Sequence, residues 1–165
     1  MTLQSIKIPP FVIGNLYKNC LVDLQSGGRE PLQKNEKINF LGDNKRQILL
    51  VVNNFDVPFL PDNELDFLLG ILAACKLNMA DIAIVNLNRT EPAEHKSLPE
   101  FFRAEVVMLF GIEATALNLP FKIPHFQVQL FKNKRYLFAP ALMILQSDVN
   151  QKRKLWEALK NIFSI

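Results

Sequence analysis

The sequence is poor in the residues and motifs that most often carry chemistry. Among its 165 residues are only two cysteines and two histidines, and Cys20 and Cys75 do not form a CxxC pair. Metal sites rich in histidine or cysteine are therefore not expected, and reduced cysteines that pack inside the protein are favoured over a disulfide. No HExxH, Walker A or GxSxG motif occurs, which leaves zinc-protease, P-loop and serine-hydrolase chemistry without local support. We expect neither a metal nor a cofactor.

The sequence also lacks long apolar runs and a strong excess of one charge. Its N-terminus has no basic stretch followed by an apolar core, as a signal peptide would, and every apolar stretch ends before the roughly 20 residues that a membrane span needs. These features predict a cytoplasmic protein without membrane interactions. The net charge is only +3, from 19 Lys and Arg against 16 Asp and Glu, so nucleic-acid binding would need a local basic patch.

What the chain does contain is a series of apolar segments of alternating type. Residues 47–54, 81–87 and 105–111 are nearly continuous apolar runs, typical of strands covered on both faces of a sheet. After Asp62, leucines recur at three- and four-residue spacing, which predicts a helix with Asp62 as its cap. A series of strand, helix and strand predicts parallel strands in one sheet.

The two ends of the chain extend this pattern. Residues 126–131 and 136–138 flank a basic segment, which is either a turn between two strands or a bend in one. Ser147 is predicted to cap the last helix, whose stripe of Val149, Leu155, Trp156, Leu159, Ile162 and Phe163 would dock on the sheet. Residues 37–42 are predicted to be a strand that folds back beside residues 47–54 as a hairpin. Residues 1–16 contain a Pro-Pro pair and are predicted to be an arm outside the central fold.

Together these segments predict one α/β domain over residues 1–165. We expect a three-layer α/β/α sandwich with a mostly parallel central sheet of four to five strands and an antiparallel N-terminal edge.

The turn after the first central strand is the most informative place in this fold. Ligands of open α/β sheets gather at the carboxyl ends of the strands. Residues 55–61 read F-D-V-P-F-L-P, without a glycine cradle, a nucleophile or a metal ligand, and their apolar side chains are predicted to plug the site. The carboxylates nearby are Asp56, Asp62 and Glu64, from which a general acid–base pair could be built, although turn and cap roles also explain Asp56 and Asp62.

Basic residues form three short clusters along the chain. They are Lys45-Arg46, Lys132 with Lys134-Arg135, and Lys152-Arg153-Lys154. The last two could converge on one face and contact nucleic-acid phosphates, or they could be solvated surface charge. His125, directly after Pro124, either has a functional role or opens a strand.

The last thirty residues carry the most specific pattern in the chain. Residues 138–145 read F-A-P-A-L-M-I-L and are followed by Asp148, Lys152, Leu155-Trp156 and Leu159. This pattern resembles the end of the DNA polymerase III psi subunit family, and weaker similarity extends over residues 16–163. The resemblance implies a non-catalytic adaptor in DNA replication, whose N-terminal arm docks on clamp-loader subunits while its folded domain holds a second subunit that connects to single-stranded DNA-binding protein. The partner-binding residues would then be Ile6, Ile8, Phe11, Val12, Ile13 and Tyr17, which could instead pack on their own domain.

The same architecture is similar to that of uracil-DNA glycosylases, which use a loop after the first central strand and a His-Pro-Ser motif after the last. This chain has Ala139-Pro140-Ala141 in place of that motif, and residues 53–56 lack the water-activating signature. The resemblance therefore implies a vestigial pocket formed by Asn53, Asn54, Asp56, Ala139 and Pro140. The alternative hypothesis is a uracil-glycosylase-like nucleic-acid-binding protein or enzyme. Under this alternative, nucleic-acid contacts would be made by Lys132, Lys134, Arg135, Lys152 and Arg153, whereas the psi resemblance implies that any contact with nucleic acid is indirect.

Overall fold

The computed structural model describes residues 38–165, which are built around one five-stranded sheet. Its strands are β1 (Ile48–Val52), β2 (Ile82–Asn86), β3 (Val106–Phe110), β4 (Val128–Phe131) and β5 (Lys134–Ala139). They lie in the order β2-β1-β3-β5-β4. All neighbouring pairs are parallel except β4 and β5. The predicted α/β fold with a mostly parallel sheet is thus confirmed.

Several predictions concern residues outside this range. The N-terminal arm of residues 1–16, Cys20 and the proposed partner-binding residues Ile6, Ile8, Phe11, Val12, Ile13 and Tyr17 all lie outside the described residues.

Four α-helices connect or follow the strands. They are α1 (Asp62–Ala74), α2 (Leu98–Phe101), α3 (Leu142–Ser147) and α4 (Val149–Phe163). Short 3-10 turns occur at Met79–Asp81, Leu87–Arg89, His95–Ser97 and Ala114–Leu117. The helix expected after residue 61 and the long last helix are both present.

The central strand β1 is buried over its whole length, and its side chains alternate between two apolar clusters. Leu50 faces the cluster formed with α1, α3 and α4. Leu49 faces the opposite cluster, where α2, short helical turns and loops cover the sheet. The sheet therefore lies between two layers, and the second layer is built from short segments rather than long helices. Two-sided burial explains why β1, β2 and β3 are continuous apolar runs.

The predicted N-terminal hairpin is wrong. Leu41 forms a single antiparallel bridge to Ile84 of β2, with N–H to O distances of 2.9 and 2.8 Å. Residues 38–42, the described part of the predicted strand 37–42, cannot pair with β1, because β2 and β3 already occupy both of its sides. Gly42 permits this path: its φ is +104°, and a Cβ there would lie 2.3 Å from the Ile82 carbonyl oxygen.

At the opposite edge of the sheet, β4 and β5 form an antiparallel hairpin. Its turn residues Lys132 and Asn133 have φ angles of 49° and 62°, the backbone conformation that two-residue hairpins with a right-handed strand twist require. Of the two predictions for this basic segment, the turn between two strands is confirmed.

Both predicted helix caps are wrong. Pro61 occupies the N-cap position of α1. Asp62 therefore lies in the first turn, where its negative charge interacts favourably with the helix dipole. At α4 the cap is Asp148, whose carboxylate accepts hydrogen bonds from the N–H groups of Asn150 and Gln151. Ser147 cannot be the cap because it ends α3, and its hydroxyl donates to the Ile144 carbonyl oxygen.

Most of the predicted stripe of α4 packs on the sheet. Leu155, Leu159 and Ile162 are buried, whereas Trp156 and Phe163 are partly buried against the same cluster. Val149 is exposed, because at 3.6 residues per turn it lies about 120° around the helix from Leu155.

Truncation of the central strand should destabilise the protein strongly. We expect Leu50→Ala to lower the free energy of unfolding by about 2–5 kcal/mol, because it leaves a cavity between β1 and the helices. The matched control is Leu130→Ala on the exposed edge strand β4, for which we expect a change within about 0.5 kcal/mol. Urea unfolding measures both, and equal effects would contradict the assignment of the core.

Candidate functional site

The expected ligand position is the point where the strand order reverses. The chain passes from β1 to β2 on one side and then to β3 on the other, so the carboxyl ends of β1 and β3 border this switch point. A crevice of about 30 Å³ lies there, lined by Val52, Asn53, Asn54, Leu60, Glu64, Phe110, Ala141 and Leu142. A volume of this size holds about one water molecule.

The turn after β1 is held by a buried amide. Asn86, the last residue of β2, is 1% exposed. Its Oδ1 accepts a hydrogen bond from the Asn54 N–H at 3.0 Å, and its Nδ2 donates to the Asn54 carbonyl oxygen at 2.9 Å. Nδ2 also lies 3.2 and 3.1 Å from the carbonyl oxygens of Val57 and Pro58. One side chain thus satisfies several backbone groups in residues 54–58, which lie outside any strand or helix.

This arrangement corrects the prediction that apolar side chains plug the site. Phe55 is 71% exposed, and only Leu60 of the turn lines the crevice. The turn can direct Phe55 outward because Asn86 fixes its backbone without help from that ring. Sequence reasoning did not identify Asn86, although an amide at the end of an otherwise apolar buried strand was a usable signal.

The loop after β2 is also organised by backbone carbonyls. The Thr90 hydroxyl donates to the Asn86 carbonyl oxygen at 3.0 Å. His95 Nε2 lies 3.2 and 3.1 Å from the carbonyl oxygens of Leu87 and Thr90, and it donates to them because carbonyl oxygens only accept. His95 therefore shapes this loop.

Of the three carboxylates considered for acid–base chemistry, only Glu64 lines the crevice. Burial raises the pKa of its carboxyl above the usual value. Asp56 is exposed, with its N–H donating to Asn54 Oδ1 at 3.2 Å, and Asp62 is exposed in the first turn of α1. The crevice therefore contains one carboxylate rather than a pair.

The segments after β3 and β5 meet directly beside this crevice. The Gly111 N–H donates to the Ala139 carbonyl oxygen at 2.8 Å, and a Cβ on Gly111 would lie 3.0 Å from the Ala141 Cβ. Ala139 and Pro140 are buried. Of the residues assigned to a vestigial pocket, Asn53 and Asn54 line the crevice, whereas Asp56, Ala139 and Pro140 do not.

A larger concavity of about 200 Å³ lies beyond the carboxyl end of β3, and sequence reasoning identified only His125 among its residues. Its polar lining is formed by Glu113, Thr115, Lys122 and His125. The Thr115 hydroxyl donates to Glu113 Oε2 at 3.3 Å. His125 is exposed and precedes β4 by several residues, so it does not open that strand.

The two C-terminal basic clusters do not share one site. Arg135 donates a hydrogen bond to the Ile162 carbonyl oxygen near the end of α4. Lys152, near the beginning of α4, lies over the Phe67 ring of α1. Ten residues of helix separate these contacts, a distance of about 15 Å. Lys132 lies over the Phe131 ring and Lys134 donates to the Ala104 carbonyl oxygen at 3.1 Å. Arg153 is exposed on α4.

Within residues 38–165, no three His, Cys, Asp or Glu side chains are grouped so that they could hold a metal ion. Among the helices of the same range, none combines the length and apolar character needed to cross a membrane. The chain matches no model of a known protein family and no curated protein. Function is therefore inferred from the arrangement of its own residues.

Loss of the Asn86 amide should be among the most damaging polar substitutions. We expect Asn86→Ala to lower the free energy of unfolding by on the order of 3 kcal/mol, because it leaves buried N–H and C=O groups of the 54–58 turn without partners. Asn88→Ala is the matched control, since Asn88 is exposed. Urea unfolding distinguishes them, and a near-neutral Asn86→Ala would show that the amide does not hold the turn.

Glu64 should make stability depend on pH. Its pKa is raised in the folded state, so the folded protein binds more protons just above the ordinary pKa, and stability falls as pH rises through that interval. Glu64→Gln removes this loss of stability, because glutamine does not ionise. We expect the free energy of unfolding of the variant, minus that of the parent, to increase as the pH rises through the interval just above the ordinary pKa of a glutamate carboxyl.

Thermal or urea unfolding across that interval provides the measurement. Glu157→Gln, at an exposed position of α4, controls for the removal of one negative charge. A difference for Glu64→Gln that decreases with pH would contradict the assigned burial.

Proposed function

We propose that this chain is a non-catalytic, protein-binding adaptor of the DNA polymerase III psi type, which links clamp-loader subunits to other replisome components in the cytoplasm. The observation that carries the proposal is the distribution of apolar side chains in residues 138–159, the segment with the psi-like pattern. That segment buries one set of apolar residues and leaves another uncovered.

The buried set anchors the segment to the sheet. Leu142 and Leu145 of α3, and Leu155 and Leu159 of α4, belong to the main apolar cluster. The uncovered set consists of Met143, Ile144 and Val149, which we call the docking patch. Their side chains are 65%, 48% and 68% exposed. The three residues lie within positions 143–149 of the chain, and exposed apolar side chains that lie close together are typical of protein interaction sites.

The size of the crevice at the switch point favours binding through a surface over catalysis in a cleft. Its volume of about 30 Å³ is roughly a tenth of the ~300 Å³ at the lower end of small-molecule pockets. The Asn86 hydrogen bonds hold the turn on one side, and the contact between Gly111 and Ala141 closes the other. A flipped uracil base would require both to move, which disfavours the glycosylase hypothesis.

The role of the docking patch also gives a use to apolar residues of the psi-like segment that the core does not bury. Met143 and Ile144 lie between the buried Leu142 and Leu145 on a helix of six residues. Partners that contribute an apolar groove would bury them, and binding energy at such interfaces is concentrated in a few side chains.

Affinity purification from native cells tests the proposal. We expect the wild-type chain to recover clamp-loader subunits through its N-terminal arm, together with the second subunit that its folded domain holds. Met143→Ser with Ile144→Ser should reduce the recovery of that second subunit by on the order of tenfold or more, because the docking patch loses its apolar contacts. Phe55→Ser is the matched control, since Phe55 is equally exposed but lies in the turn after β1.

Two results would contradict the proposal. One is the absence of clamp-loader subunits under conditions that preserve the replisome. The other is excision of uracil from DNA by the purified chain, abolished by Asp56→Ala, which would support the glycosylase hypothesis instead. Urea unfolding of each variant separates lost binding from lost folding.

A further inference from the structure

A concave basic site lies at the opposite end of the sheet, where the parallel strands begin. Its volume is about 280 Å³, and its lining includes Lys45, Arg46, Glu105, Arg135 and Phe163. Lys45 and Arg46 precede β1, Glu105 precedes β3 and Arg135 lies in β5. Cations that are far apart in sequence thus converge on one cavity, which we call the basic cleft.

Backbone hydrogen bonds fix the segments that carry these side chains. The N–H groups of Lys45 and Arg46 donate to carbonyl oxygens just before β2, at 2.9 and 3.0 Å. The Glu105 N–H donates to the Gln47 carbonyl oxygen at 2.8 Å, and the Arg135 N–H donates to the Glu105 carbonyl oxygen at 2.9 Å. The charged side chains therefore project from a connected scaffold, so a ligand need not order the backbone when it binds.

Arg135 is positioned by its side chain as well. Its Nη1 donates to the Ile162 carbonyl oxygen in the last turn of α4, which orients the guanidinium. An arginine side chain has five N–H donors in a planar fork, so this contact leaves donors for a second acceptor. Arg46 contributes another fork, and such forks suit phosphate and carboxylate oxygens.

The charge of the cleft selects among anions. Lys45, Arg46 and Arg135 oppose the single carboxylate of Glu105, which leaves two positive charges. The end of α4 adds about −0.5. The cleft therefore carries about +1.5. A phosphomonoester carries about −1.5 to −2 at neutral pH and balances this charge, whereas one carboxylate or one phosphodiester, each with a single negative charge, does not.

We propose that the basic cleft binds a phosphomonoester, carried either by a mononucleotide or by the end of a nucleic-acid strand. The phosphate oxygens accept hydrogen bonds from Arg46 and Arg135, and Lys45 adds charge. Phe163 forms an apolar wall for the group attached to the phosphate. This site lies at the opposite end of the sheet from the crevice, and it does not depend on the adaptor function.

Isothermal titration calorimetry with the full chain tests the proposal and identifies the source of the phosphate. The probes are inorganic phosphate, adenosine monophosphate, and an oligothymidylate with and without a 5′-phosphate. We expect phosphorylated probes to bind and the unphosphorylated oligonucleotide to bind at least about tenfold more weakly than its 5′-phosphorylated form. Binding of the monophosphate indicates a nucleotide, and binding of the phosphorylated oligonucleotide alone indicates a strand end.

Charge variants locate the binding. Arg46→Gln should weaken binding by about tenfold or more, because it removes charged hydrogen bonds. Arg135→Lys keeps the charge but loses the fork, and it should weaken binding several-fold. The matched control, Arg153→Gln, removes an exposed arginine near the start of α4 and should leave binding unchanged.

Three outcomes would overturn the proposal. They are no binding of any phosphorylated probe, equal binding of the two oligonucleotides, and equal weakening by Arg46→Gln and Arg153→Gln, which would indicate attraction to overall charge.

Discussion

The hydrogen bonds of the Asn86 side chain determine what the carboxyl end of this sheet can do. An amide that is 1% exposed needs partners for both its oxygen and its nitrogen. It finds them in the backbone of residues 54–58, and in doing so it fixes the turn that borders the switch point. The Asn86 amide is the polar group best placed to face a ligand, but its hydrogen-bonding atoms are already used by the backbone of the turn. The crevice beside it has room for about one water molecule.

The two ends of the sheet differ in chemistry as a result. At the carboxyl end, the contact between Gly111 and Ala141 and the turn held by Asn86 leave little space at the switch point, and the larger concavity of about 200 Å³ lies beyond β3. At the amino end, Arg46 and Arg135 meet in an open basic cleft. The docking patch on α3 and α4 provides a third surface, which is apolar. Under the proposed function, binding surfaces rather than a catalytic cleft contact the partners.

The fold was largely predictable because burial on two faces leaves a clear sequence pattern. Continuous apolar runs identified β1, β2 and β3, and the leucine spacing identified α1. Features that depend on tertiary pairing were missed. Leu41 pairs with β2 because both sides of β1 are occupied, and Asp148 caps α4 because Ser147 belongs to α3. No local pattern distinguishes these cases.

The site was less predictable, because it depends on which distant residues meet. The pairing of Arg135 with Lys45 and Arg46, rather than with Lys152, follows from strand order and helix direction. Hydrogen–deuterium exchange of the chain with and without the purified second subunit, the one that the folded domain is proposed to hold, tests the central claim that surfaces carry the function. We predict new protection in residues 142–149 and unchanged exchange in residues 53–58. Protection of residues 53–58 by uracil-containing DNA, with none in residues 142–149, would contradict it.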